Sequence, residues 1–117
     1  MLERELTTSN GLIATNLPAG FYWMRLGDTG GMSRNKLGCD GFIWFNNHCW
    51  PTEVKIGNGK LTESEEKLKE KCREHNILYL ILRYHEKHGG LWELELADKS
   101  LIYTSMKLGE VFESLIE

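Results

Sequence analysis

The sequence predicts a single α/β domain, residues 1–117, in which a mixed central sheet carries helices on its faces. Three observations lead there. Residues 76–84, NILYLILRY, form a near-continuous apolar run. That is the pattern of a strand buried on both faces, a central parallel position reached through a crossover helix. The segment before it, 62–75, has helical spacing and a thin apolar stripe of Leu61, Leu68 and Cys72 on an otherwise polar surface. Further upstream, DGFIWF and HCWPTEVKI flank Asn46 and Asn47, and asparagine tolerates the positive φ of a tight hairpin.

The remaining elements follow in order. Residues 1–17 open with a short helix on which Leu2, Leu6 and Ile13 could share a face, although TTSNG is poor helix material. LPAG is a turn, and the aromatic-rich FYWMRL, 21–26, is a strand. GDTGGMSRNKLGC, 27–39, is a long glycine-rich loop of the kind that tends to carry function. After the crossover, EKHGG turns, LWELELA alternates as a more exposed strand, and LIYTSM is a short extended piece. LGEVFESLIE closes the chain as a helix packed through Leu108, Val111, Phe112 and Leu115. The order is (α)βββαβ with a further hairpin and helix.

Composition narrows the function classes. The 117 residues suffice for a core without disulfides or a structural metal. A net charge of −3 advertises no nucleic-acid partner in bulk, so any such binding rests on a local basic patch. No apolar run reaches the length of a membrane span, and MLERELTTSNG lacks the apolar centre of a signal peptide. Three widely spaced cysteines, Cys39, Cys49 and Cys72, are expected to be reduced and buried, which suits a cytoplasmic protein. Trp23, Trp44, Trp50 and Trp92 are expected in the core or an interface. HEKH, 85–88, falls in a turn without a third metal ligand at suitable spacing.

The hairpin raises a chemical question. With the turn centred on Asn46 and Asn47, Phe45 faces His48, Ile43 faces Trp50 and Asp40 faces Glu53. Opposed carboxylates repel unless something positive lies between them. Alternation puts Lys55 on the face of Glu53, with Val54 and Ile56 pointing away. Glu65 lies within the apolar stripe of the helix, so packing that stripe on this face aims it at the same place. Two to three carboxylates and an amine suit a hard divalent cation such as Mg²⁺, with the lysine left to stabilise developing phosphate charge.

GCD, then EVK after twelve residues, then GNGKLTESE, together resemble the PD-(D/E)xK nuclease superfamily, most closely its virus-type replication-repair nuclease domain (VRR-NUC). That family runs G-x-PD, a hairpin, E-x-K, a glycine turn, and L-[ST]-x-x-Q opening a helix. The likeness spans about residues 24–84. It implies a restriction-endonuclease-like fold and Mg²⁺- or Mn²⁺-dependent DNA cleavage, of flapped or branched substrates, by a homodimer. It also implies metal ligation by Asp40, Glu53 and the Val54 carbonyl, and a catalytic Lys55. Arg34, Lys36 and Lys60 would touch DNA phosphates. The family places a further glutamate on a first helix, a role open to Glu3 or Glu5. Cys39 stands where the family has proline, and Glu65 where it has glutamine.

Plainer readings exist for the same residues. Asp40, Glu53 and Lys55 could form a surface ion-pair cluster. Thr62 and Glu65 have the spacing of a capping box, so Glu65 could serve the helix, the metal, or both. The acidic net charge suits a non-catalytic DNA- or protein-binding module on the same fold.

Overall fold

A computed structural model of the chain describes residues 1–26, 38–97 and 100–116. Its elements are α1 (Glu3–Thr7), α2 (Leu12–Asn16), β1 (Phe21–Arg25), β2 (Gly41–Phe45), β3 (His48–Ile56), α3 (Glu63–Glu74), β4 (Leu80–His85), β5 (Leu91–Leu96), β6 (Leu101–Ser105) and α4 (Leu108–Ile116). Among the described residues the strands form one sheet in sequence order, β1 to β6. All neighbours are antiparallel except β3 and β4, which are parallel and joined through α3. The apolar run thus occupies the central parallel position expected of it.

Each face of the sheet has its own cover. Trp23, Ile43, Val54, Leu80, Leu82 and Leu94 point to one side, where Leu6 and Ile13 of the short helices and Leu108, Val111 and Phe112 of α4 close the larger core. Ile81 and Tyr79 point to the other side, under Leu61, Leu68 and Cys72 of the α3 stripe. Burying this continuous apolar surface is the dominant stabilising term. No described helix is long and apolar enough to cross a membrane.

The hairpin has the predicted register: Phe45 pairs with His48, Ile43 with Trp50 and Gly41 with Thr52, around an Asn46 at φ 55°. Several expectations need correcting. Strand β2 begins at Gly41, so Asp40 lies just beyond the ladder instead of inside it. Strand β4 begins at Leu80, four residues later than the apolar run suggested. Asn76 takes a left-handed φ of 58°, and the Ile77 amide bonds back to Cys72 O at 2.8 Å, so the first residues of the run end the helix. The N-terminal segment forms two five-residue helices, and Leu2 is exposed while Leu6 and Ile13 are buried. Cys49 is exposed, unlike Cys39 and Cys72. Trp44 is also exposed, with its ring edge-on to the exposed Tyr22 of β1.

Candidate active site

The site forms where β2 stops and β3 continues. Past Gly41, β3 loses its antiparallel neighbour, and the polar edge this leaves is taken up by Asp40. The Asp40 amide donates to Thr52 O at 3.0 Å, and Asp40 Oδ2 accepts the Val54 N–H at 2.8 Å. A residue's N–H and C=O leave an extended strand on the same side, so the Val54 carbonyl is directed toward Asp40 as well. The Val54 side chain is fully buried in the larger core. One residue therefore ties the aspartate to the packing of the sheet.

A second tie holds the approach to Asp40. The buried Tyr79 hydroxyl donates to Gly38 O at 2.7 Å. Gly38 has φ +83°, and a Cβ there would stand 2.7 Å from the Leu68 Cβ. Glycine is required at this position both for its dihedral and for its contact with α3.

Glu53 and Lys55 project from β3 on the α3 side, as alternation dictates. Lys55 Nζ lies 3.3 Å from Glu53 Oε2 and 2.9 Å from Glu65 Oε1. Glu65 also completes a capping box: its Oε1 accepts the Thr62 N–H at 2.8 Å, and its own N–H reaches Thr62 Oγ1 at 3.4 Å. A single carboxylate oxygen of Glu65 thus caps the helix and holds the lysine, and among the described residues Glu65 is not one of the carboxylates grouped as candidate metal ligands. The turn leading to this helix is anchored from behind, where Arg83 Nη1 donates to Gly57 O at 3.2 Å and Gly59 O at 2.6 Å.

The first helix supplies another acid. Carboxylate oxygens of Glu3, Asp40 and Glu53 all lie within 4.8 Å of one another. Helix α1 is fixed over the site by the buried Leu6 and by Trp23 Nε1, which donates to Thr7 O at 2.6 Å. Glu5 is not in the cluster; its side chain accepts the Leu2 N–H at 2.9 Å within its own helix. The carboxylates and Lys55 open onto a cleft of about 320 Å³, whose wall also includes Arg4 and Arg25. A larger groove of about 710 Å³ beside Trp50, Tyr103 and Leu115 has no comparable concentration of ionisable groups.

This much negative charge in one place perturbs the acids strongly. Burial first, then the charges of Asp40 and Glu65, push the Glu53 carboxyl up to about 10. Glu3 is pushed up to about 7 by burial and by Asp40. Asp40 is raised by burial, against the opposing effect of the Val54 N–H. Burial alone would raise Glu65, but the Thr62 N–H and Lys55 together hold it below its ordinary value. Lys55 is raised because Glu65 and Glu53 outweigh its desolvation. At neutral pH Glu53 therefore keeps a proton that a nearby cation would displace.

The donor set fits the ion implied by the resemblance. One oxygen from each of the three carboxylates lies within 4.8 Å of the others, all hard donors, with neither a thiolate nor an imidazole among them, and this suits Mg²⁺ or Mn²⁺. The Cys39 thiol, adjacent in sequence, is buried and pushed up to about 12, so it stays protonated and does not compete as a ligand.

Of the residues singled out in the sequence, the fold assembles Glu3, Asp40, Glu53, Lys55 and Glu65, with the Val54 backbone beside them. Arg34 and Lys36 lie outside the described residues. Lys60 is exposed on the turn before α3 and does not line the cleft. Sequence reasoning missed Arg4, Arg25 and Tyr79. Arg25 pairs with Gly41, next to Asp40, a register that the long connection between the two strands leaves open in the sequence. A tyrosine in an apolar run carries a signal of its own, because its buried hydroxyl needs a hydrogen-bond partner. Compared with protein-family models, with curated proteins and with solved structures, the chain matches none.

Proposed function

We propose that the chain is a Mg²⁺- or Mn²⁺-dependent DNA nuclease on a restriction-endonuclease-like fold, hydrolysing phosphodiester bonds in flapped or branched DNA. The observation that carries this reading is the placement of Lys55. Its ammonium is clamped by Glu53 and Glu65 at 3.3 and 2.9 Å, beside three carboxylates whose oxygens lie within 4.8 Å. A surface ion-pair cluster would not bury Glu53 to 3% exposure or hold it protonated.

Asp40, Glu53 and Glu3 would hold the ion, with the Val54 carbonyl available on the same side of β3. A bound divalent ion supplies an activated water and polarises the scissile phosphate. The chain's own groups supply the rest. The Val54 N–H fixes which oxygen of Asp40 is free to ligate. Lys55, positioned by Glu65, stabilises charge developing on the phosphate. Arg4 and Arg25 in the cleft wall attract the DNA backbone to a site that would otherwise repel it.

The test is cleavage of labelled linear, flapped and four-way-junction DNA with Mg²⁺, Mn²⁺ or EDTA, comparing wild type with Lys55→Ala. Metal-dependent cutting that falls by about 10²–10³ in the variant is expected. Folded wild type that cuts no substrate with either metal would sink the nuclease reading. It would leave the chain as a binding module on this fold.

A further inference from the structure

Parallel register pairs Lys55 of β3 with Arg83 of β4, so two cations leave adjoining strands on the same side of the sheet. Like charges set opposite one another are unfavourable. Here each is drawn to its own partners. Lys55 goes to Glu53 and Glu65, while Arg83 turns to Glu93, whose Oε2 lies 3.6 Å from Arg83 Nε. The other oxygen of Glu93 lies 3.1 Å from His85 Nε2, which holds the carboxylate from behind. Arg83 keeps Nη1 for the turn after β3, where it donates to Gly57 O and Gly59 O. The two carbonyls are not equivalent. Gly57 is also tied to β4 by its own N–H, which donates to Tyr84 O at 2.9 Å. The bond to Gly59 O, at 2.6 Å, reaches two residues nearer the helix. Gly59 itself flanks the lysine, since a Cβ there would stand 3.7 Å from Lys55 Cδ. Three residues on, the Thr62 N–H donates to Glu65, and Glu65 holds the Lys55 ammonium. Leu61, Leu68 and Cys72 also hold α3 on the sheet. Apolar contact has no direction, however, and does not fix a helix along its axis to the tolerance of a hydrogen bond.

We propose that Arg83 is a positioning residue for Lys55. By holding Gly59 O it sets the wall beside the lysine stem and the start of the helix whose Glu65 fixes the ammonium. Arg83 does not line the acidic cleft, so it acts through these neighbours. Glu93 fixes the guanidinium, and a lysine in its place would lack the planar fork that reaches a carboxylate and two carbonyls together. What Lys55 does in cleavage rests on the nuclease reading, whereas its placement by Arg83 does not, and the test separates the two.

Two measurements are made on Arg83→Met, which keeps an apolar stem and removes the donors. Pulse acetylation without metal or DNA, read by mass spectrometry at Lys55 against the exposed Lys67, reports the placement alone. Lys55, whose side chain is 15% exposed, should label slowly in wild type and several-fold faster in the variant. Single-turnover cleavage at saturating DNA should fall about 10- to 100-fold with the half-saturating DNA concentration unchanged, because a displacement of about 1 Å is enough for such a loss. Val111→Ala, in the core on the other side of the sheet, is the control for stability alone. It should lower the urea midpoint without altering the labelling or the rate. Should Arg83→Met fail to fold, Arg83→Lys replaces it, with the same two changes in smaller measure. Lys55 labelling that equals wild type in the folded variant overturns the proposal, whatever the chain cuts. So does labelling that rises equally in Val111→Ala, or faster labelling with undiminished cleavage. Faster labelling in a chain whose wild type cuts no DNA would sink the nuclease reading and leave the placement of Lys55 by Arg83 standing.

Discussion

The protonated Glu53 makes the stability of the metal-free protein depend on pH in a direction opposite to that of ordinary acid denaturation. In the unfolded chain this carboxyl titrates near its ordinary value of 4.5, whereas in the folded chain it holds its proton up to about 10. Between those limits the folded state binds one proton more than the unfolded state, so stability falls as pH rises. One retained proton corresponds to about 1.4 kcal/mol per pH unit. Over about three units, from pH 5 to 8, the loss is about 4 kcal/mol, a large part of the roughly 5–15 kcal/mol of a typical domain. This slope holds wherever the folded value lies, provided it is well above the window. Glu3, at about 7, steepens the fall in the lower part of the range. In Glu53→Gln the proton is gone but the shape is kept. Urea denaturation in EDTA across this window should show the variant diverging from wild type by about 1.4 kcal/mol per pH unit, with the variant more stable at the alkaline end. Added Mn²⁺ should stabilise wild type, since metal binding takes the place of the proton. Parallel curves for the two proteins would refute the reasoning, because Glu53 would then be ionised in both states.

The two duties of Glu65 can be separated. Thr62→Ala removes the cap and should cost about 1 kcal/mol in urea denaturation while leaving cleavage nearly unchanged. Glu65→Gln keeps an oxygen for the Thr62 N–H but removes the charge that holds Lys55, so single-turnover cleavage should fall at least several-fold with little loss of stability. Equal effects of the two variants on cleavage would assign Glu65 to the helix alone. Tyr79→Phe leaves the buried Gly38 carbonyl without its donor and should cost about 1–3 kcal/mol. Because Gly38 leads into Asp40, the same variant should also weaken Mn²⁺ binding measured by calorimetry. Unchanged affinity would confine Tyr79 to stability.

Most of the sheet was legible because its signals are local. The Asn46–Asn47 turn set the register of β2 on β3, and the apolar run after a polar helix marked the parallel partner. Glu53 and Lys55 could be placed on one face because strand alternation leaves no freedom. What escaped depends on contacts distant in sequence. The choice of Glu3 over Glu5 is made by how α1 docks through Leu6 and the Trp23–Thr7 hydrogen bond, which no helical pattern encodes. The position of Asp40 depends on where β2 stops, and the opposed-carboxylate argument placed it one residue too far into the ladder. The continuous apolar run after α3 hid the point at which the strand begins, because apolar residues suit both a helix end and a strand.

Glu53, Lys55 and Glu65 belong to one uninterrupted strand, turn and helix, and Asp40 comes from the adjoining hairpin. Glu3 alone arrives from far along the chain, on a helix of five residues that is too short to persist unless docked. In terms of the order of assembly, the lysine clamp closes over short loops, while the last carboxylate must wait for a long-range contact. A chain with its sheet formed and α1 still undocked would already carry the clamp, Asp40 and Glu53, but not the third acid. The N-terminal helix is therefore the part of the site whose position depends entirely on a long-range contact.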